Sequence, residues 1–287
     1  MKAVPEAAND EQSVFDAGER RAGVAVSAVV EGILRLPRAV LTALSFALFI
    51  VVWWLGTALF PNSGFIPTPG EVGFRAVNMF RRHDLVDGIG ASMLRVLVGL
   101  VLGTVSGVII GLLMGRSRLV SALIDPVFQL LRNLSPTAMI PIALVWFGIG
   151  ESSKYFLIFW GTFFIVAVNT TAGTQSTPQT RIRAAQCLGA TQIRIFFTVV
   201  LPSALPYIIA GVRLGVASAF MTIIPAELLA AQEGLGALLQ QASLNGQIDR
   251  MFVVLIIIAV LGFSTDRLVQ YLAENVLRRY TSYQSEQ

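Results

Sequence analysis

Cysteine and histidine are almost missing from this chain: Cys187 and His83 are the only examples. One of each cannot close an intrachain disulfide or assemble a His/Cys metal cluster. Lysine is confined to Lys2 and Lys154, and neither ends the G-x-x-x-x-G-K-[ST] pattern that cradles phosphates, so no such ATPase loop is present. There is also no H-E-x-x-H pair and no G-x-S-x-G nucleophile elbow. Charge is scarce, with Asp, Glu, Lys and Arg making up 13% of the residues. What fills the space is apolar: 55% of 287 residues are hydrophobic and the mean hydropathy is +0.71. Such a composition belongs to an integral membrane protein rather than a soluble domain. The net charge of +4 follows from the lysine and arginine bias of cytoplasmic loops and requires no nucleic-acid partner.

A helix needs about 20 apolar residues to cross about 30 Å of hydrocarbon. Six stretches qualify, which predicts an all-α protein of about six transmembrane helices. The first, "AVLTALSFALFIVVWWLGTALF", covers 39–60 and stops at "PNSGFIPTPG", where repeated Pro and Gly end a helix. The second covers about 93–115, the fourth about 153–172, the fifth about 203–224 and the sixth about 251–272. The third, 119–148, contains Asp125, Arg132, Pro136 and Pro141. It is expected to be broken, with an amphipathic first part, "ALIDPVFQLLRN", and a membrane part from about Ser135 onward. Residues 1–38 mix acids and bases, resemble neither a secretory signal nor a transit peptide, and read as a solvated tail with a short helix over 24–36. The membrane region is placed at 39–277 and a second tail at 278–287.

Basic residues beside the span ends set the orientation. With the N-terminus inside, the cytoplasmic surfaces collect Arg35, Arg38, Arg116, Arg118, Arg181, Arg183, Arg194, Arg278 and Arg279. The opposite loops carry Arg75, Arg81, Arg82, Lys154 and Arg250, diluted by Glu71, Asp84 and Asp87. Both termini are therefore expected in the cytosol, as is the loop over 174–200. Within the second span, Gly99, Gly103, Gly107, Gly111 and Gly115 recur every fourth residue, and Gly211, Gly215 and Ala219 form a shorter ladder on the fifth. Small-residue stripes let helix backbones approach closely in lipid. These are expected to seat neighbouring helices within one subunit rather than to join two subunits.

The stretch "RIRAAQCLGATQIRIFFTVVLPSALP" lies in that loop and runs into the fifth span. Two short helices split near Gly189 are expected, with Ala185 and Gly189 four apart on one face. On composition alone it remains an ordinary basic loop. Its residue order is more specific: "RAAQCLGATQIRIFFTVVLPSALPYIIAGVRLG" resembles the EAA loop of bacterial ABC importer permeases. Ala184, Ala185, Gly189, Leu201, Pro202, Pro206, Gly211 and Arg213 fall at matching places, whereas Arg183 stands where the motif has Glu. Residues 125–173 and 226–242 ("AELLAAQEGLGALLQQA") resemble the nitrate/sulfonate/taurine/bicarbonate-type permeases. The resemblance implies a type I (MetI-like) importer arrangement and a permease homodimer in the bacterial inner membrane. It implies two copies of an ATP-binding subunit, which hold ATP and Mg, and a periplasmic or lipid-anchored solute-binding protein. It also implies a coupling contact through Arg183, Ala184, Ala185, Gly189 and Ala190, no cofactor in this chain and no catalysis by it. The implied cargo is a small anion.

Ionisable groups at membrane depth mark pathway candidates. Arg132 precedes the break at Pro136 and either attracts an anion in transit, snorkels to the interface or pairs with Asp125. Glu227, just after Pro225, either contributes to an outer gate or caps the following short helix near its positive end. Arg213 reads as a structural tie to nearby carbonyls or the coupling loop, and Trp146 and Phe147 as interfacial anchors. The alternative class, a secondary transporter driven by an ion gradient, calls for internal repeats and paired broken helices. The sequence shows one broken helix and no repeat.

Overall fold

A computed structural model describes residues 38–59 and 66–281. The expected helix over 24–36 and the tail beyond 281 lie outside the described residues. The chain divides into two units at Pro69. The first contains α1 (Arg38–Leu59), an apolar helix whose hydroxyls bond its own turns, Ser45 Oγ to the Leu41 carbonyl and Thr57 Oγ1 to the Trp54 carbonyl.

The second unit begins with α2 (Pro69–Arg81), an amphipathic helix tied down by Arg75 Nε to Asp249 Oδ2 at 2.5 Å. It then runs through α3 (Asp84–Arg116), α4 (Arg118–Leu131), α5 (Ile140–Phe147), α6 (Glu151–Gln175), α7 (Gln179–Cys187) and α8 (Gln192–Ile195). A five-residue π segment, Phe196–Val200, leads into α9 (Leu201–Ala230), followed by α10 (Leu235–Leu244) and α11 (Ile248–Thr281). The π turns have a local cause. Pro202 cannot donate to Thr198, and its ring crowds that carbonyl, so the helix widens before α9 proceeds. α9 also runs through Pro225 to Ala230, two turns beyond the expected end of the fifth span.

Helix α6 is the axis of this unit, gripped on one side by α3 and on another by α9. A Cβ added at Gly99 would meet Ile158 at 2.5 Å, at Gly103 Thr162 at 2.8 Å, at Gly111 Thr170 at 2.6 Å and at Gly115 Thr174 at 2.4 Å. Both series ascend together, so α3 and α6 are parallel and the glycine ladder is an intrachain seam, as expected. The second ladder meets α6 in the opposite sense, Gly211 against Asn169 and Gly215 against Thr162, making α9 antiparallel. α11 returns against α9, with Gly262 beside Phe220 and Arg213 paired to Asp266.

Five described helices are long and apolar enough to cross a membrane by themselves. Yet two parallel neighbours require a crossing between them, and α4 and α5 supply it in two pieces. At 1.5 Å per residue α6 is about 37 Å long, α4 about 21 Å and α5 about 12 Å. The Leu134 carbonyl accepts from Trp160 Nε1 at 3.2 Å, fixing the break about 14 Å from the Glu151 end of α6. That leaves about 22 Å for α4, which matches its length. The third span is therefore broken as expected, but its second helix begins at Ile140 rather than Ser135. Pro141 suits a first helical turn, whereas Pro136 ends up in the turn before it.

Candidate functional site

Three polar features stand out in the bundle: one at the end where α3 and α6 start, one in the break between α4 and α5, and one at the end where α3 and α6 finish.

At the first end, Arg95 and Glu227 form a buried pair, Nη1 to Oε1 2.7 Å, with Glu227 fully enclosed. Glu227 is held further by Ser92 Oγ at 2.8 and 2.9 Å and by the Gly236 N–H at 2.7 Å. Ser92 Oγ in turn accepts from the Leu235 N–H at 2.8 Å. The first two amides of α10, which have no intrahelical partner, thus receive side-chain acceptors from α3 and α9. The other face of the Arg95 guanidinium grips Glu151, Nε to Oε2 2.5 Å and Nη2 to Oε1 2.9 Å, and Lys154 Nζ reaches the same carboxylate at 2.7 Å. Two cations and two carboxylates make the cluster neutral, which is what lets charges reside there. Gly234 completes it: its φ of 129° favours glycine, and a Cβ would strike Arg95 Nη1 and Glu227 Oε1, both at 2.6 Å. The sequence signal for Arg95 is its position, eleven residues past the start of α3. A span counted from Met93 hides it, because it leaves Arg95 at the interface.

In the break, Arg132 caps the C-terminus of α4 and is exposed; it has no ion-pair partner among the described residues. Pairing with Asp125, one of the three options for Arg132, does not form; Gln129 Nε2 donates to Asp125 Oδ1 instead, at 3.2 Å. Arg213, expected to tie to carbonyls or the loop, instead forms a bidentate pair with Asp266 of α11, both bonds 2.9 Å. Trp146 packs edge-on against Phe147 and Phe156, and Phe147 lies tilted on Phe156, beside the start of α6.

At the opposite end α7 and α8 form a broken pair of short helices with little attachment. α7 ends in a Schellman turn: the Gly189 N–H bonds the Gln186 carbonyl at 2.9 Å and the Ala190 N–H bonds the Ala185 carbonyl at 3.0 Å. Gly189 has φ 76°, so the split falls where expected, but Gly189 terminates the helix rather than sharing a helical face with Ala185. α8 is opened by Thr191, whose Oγ1 accepts from the Arg194 N–H. Arg116 Nη2 reaches Gln192 Oε1, tying the pair to the end of α3. No side chain of α7 is buried, Leu188 is 88% exposed and Ile193 73%, and Arg181, Arg183 and Arg194 project from the same segment. Ile195 alone, fully buried, roots α8 in the bundle. Among the described residues no group of three or more His, Cys, Asp or Glu is placed to hold a metal.

Comparison with known proteins gives this helical bundle, with its broken crossing and protruding helix pair, a class: it is a membrane transport permease component. Residues 103–278 match the binding-protein-dependent transport system inner membrane component family, to which the chain belongs. It is 43% identical over 230 residues to a probable ABC transporter permease protein of Brucella melitensis, covering 80% of this chain and 93% of that one. It is 34% identical to the taurine transport system permease protein of Escherichia coli K12, over 76% and 81% of the two chains. It is 31% identical to the nitrate import permease protein of a Synechocystis strain, over 84% and 90%. In fold it is similar to the inward-facing methionine ABC transporter MetNI, with TM-score 0.57, 21% identity, and 69% of this chain and 97% of that chain covered.

Proposed function

We propose that this permease forms the translocation path of an ATP-driven importer for a small anion, such as a sulfonate, taurine, nitrate or bicarbonate, and that α7 and α8 dock on an ATP-binding subunit. The observation that carries the docking is the exposed apolar pair Leu188 and Ile193 on a helix pair with no buried face along α7. Apolar area held out from the bundle among arginines calls for a protein partner. Arg183, Ala184, Ala185, Gly189 and Ala190 would make the contact. With Arg183 in place of the motif's Glu, the facing residue on the partner would be acidic or neutral. ATP and Mg would be bound by two copies of that subunit, with a solute-binding protein at the other end and a second copy of this chain alongside. The arginine-rich end would be cytoplasmic. Of the two pathway candidates, Arg132 is exposed in the single chain and would be the one to meet solute. Glu227, enclosed and saturated with donors, would position α10 at the outer end.

The test is reconstitution. Vesicles holding the permease with its ATP-binding subunit should accumulate labelled taurine or nitrate only with the binding protein outside and ATP inside, and an ionophore should leave uptake unchanged. Uptake that persists without ATP and collapses with the ionophore would favour a gradient-driven carrier. Ala185→Trp should abolish both copurification of the ATP-binding subunit and uptake.

A further inference from the structure

Resting on the permease reading, the geometry of the break between α4 and α5 carries it to a specific set of atoms. We infer that residues 132–137 form an oxyanion way station near the middle of the bilayer, built from the Arg132 guanidinium, the Ser135 and Thr137 hydroxyls and the backbone N–H groups of Asn133 and Ser135.

Depth is set by α6. Trp160 Nε1 holds the Leu134 carbonyl, and a Cβ on Gly161 would lie 3.2 Å from Pro136 Cγ, so the break rests on residues about 14 Å from one end of α6 and about 22 Å from the other. At that depth an arginine and non-helical backbone are tolerated only against protein or around a water-filled cavity. Arg132, Asn133, Ser135 and Thr137 are all exposed in the single chain, so they face away from the interior of this bundle, toward a water-filled path or the second copy of the chain that borders it.

The donor arithmetic favours an anion. The Arg132, Leu134, Ala138, Met139 and Ile140 amides are bonded within the turn, and the Thr137 amide bonds Ser135 Oγ at 3.3 Å. The amides of Asn133 and Ser135 have no partner among the described residues. The two hydroxyls share one hydrogen bond, 2.7 Å between Ser135 Oγ and Thr137 Oγ1, which uses one of their two protons and leaves the other free. Asn133 Nδ2 is taken by the Gln129 carbonyl at 2.7 Å. The nearest carboxylate on the same helix, Asp125, lies two turns away and is engaged by Gln129. What remains is a guanidinium, two free amides and one hydroxyl proton, set against the Arg132 and Asn133 carbonyls, which have no donor among the described residues; the one formal charge in the break is positive, the chemistry of a sulfonate or nitrate contact.

The experiment uses the full complex with its ATP-binding subunit, in vesicles, with Cys187→Ser as background and cysteine placed at Ser135. Labelling rates are measured with a sulfonate-bearing and a trimethylammonium-bearing methanethiosulfonate, each normalised to a free thiol in solution. The sulfonate reagent should be preferred by about tenfold, a preference retained in Arg132→Lys and reduced to within about twofold in Arg132→Gln. With an uncharged methanethiosulfonate, methanesulfonate should slow labelling more than chloride at equal ionic strength. Absence of labelling, a preference indifferent to Arg132→Gln, or equal effects of the two salts would overturn the way station. ATPase stimulation by the binding protein is recorded in the same vesicles. If it survives while the labelling pattern fails, the way station falls and the permease reading stands.

Discussion

Glu227 shows how much one carboxylate can hold. It joins α3 through Ser92 and Arg95, and α10 through the Gly236 amide, while fully enclosed. Glu227→Ala would leave Arg95 buried with one carboxylate fewer and an amide of α10 uncapped. Breaking a buried pair from one side costs about 3–5 kcal/mol. Thermal unfolding of the detergent-solubilised protein should show a large drop in midpoint, with a smaller one for Glu227→Gln, which keeps the volume and part of the hydrogen bonding. A double-mutant cycle with Arg95→Gln should return a strong coupling, whereas additive losses would mean that the two residues act independently. Little of this cluster was legible in the sequence. Arg95 finds its partners 56 and 132 positions further along the chain, and no local pattern announces pairing over such separations. The capping option at Glu227 could be raised from sequence because the carboxylate and the helix it caps are neighbours in the chain.

Helices carry the seams, and here the sequence was more informative. A four-residue glycine period has one physical use in lipid, close backbone approach, and the α3–α6 seam realises it with threonines and branched side chains opposite each glycine. Two substitutions on the same helix should therefore have opposite signs. Gly111→Ala places a Cβ 2.6 Å from the Ala167 carbonyl oxygen, a backbone atom that cannot step aside, and should destabilise by about 1–3 kcal/mol. Gly90→Ala meets nothing within 4 Å and should stabilise by up to about 1 kcal/mol through helix propensity. Paired denaturation curves check both. Gly189→Val should loosen the end of α7, because its φ of 76° is costly for a branched residue. Weaker association with the ATP-binding subunit at unchanged bundle stability is the expected readout. Pro225 is a weaker stop than its local preference suggests: the span over 203–224 already contains Pro206, and α9 continues past Pro225 to Ala230, with Ala226 in one buried cluster with Leu157 of α6. α2 falls where the sequence reads as a loop, because its amphipathic pattern is too short and polar to count as a span.

On the scale of the whole molecule, two parallel helices, a crossing in two pieces and an antiparallel return fix which termini of α3, α6, α9 and α11 share an end. The Arg95 cluster and α10 lie at one end, the α7–α8 pair at the other, and the exposed break between them. In the proposed importer the Arg95 cluster would be a frame near the entry, the break a polar waypoint, and the α7–α8 pair a lever facing the ATP-binding subunit in the cytosol. Cys187 sits exposed on α7 and serves as a native reporter. Its labelling by a membrane-impermeant maleimide should be rapid in inside-out vesicles stripped of the ATP-binding subunit, suppressed when that subunit is added back, and absent in right-side-out vesicles. Labelling from the outer surface, or labelling indifferent to the added subunit, would contradict the account.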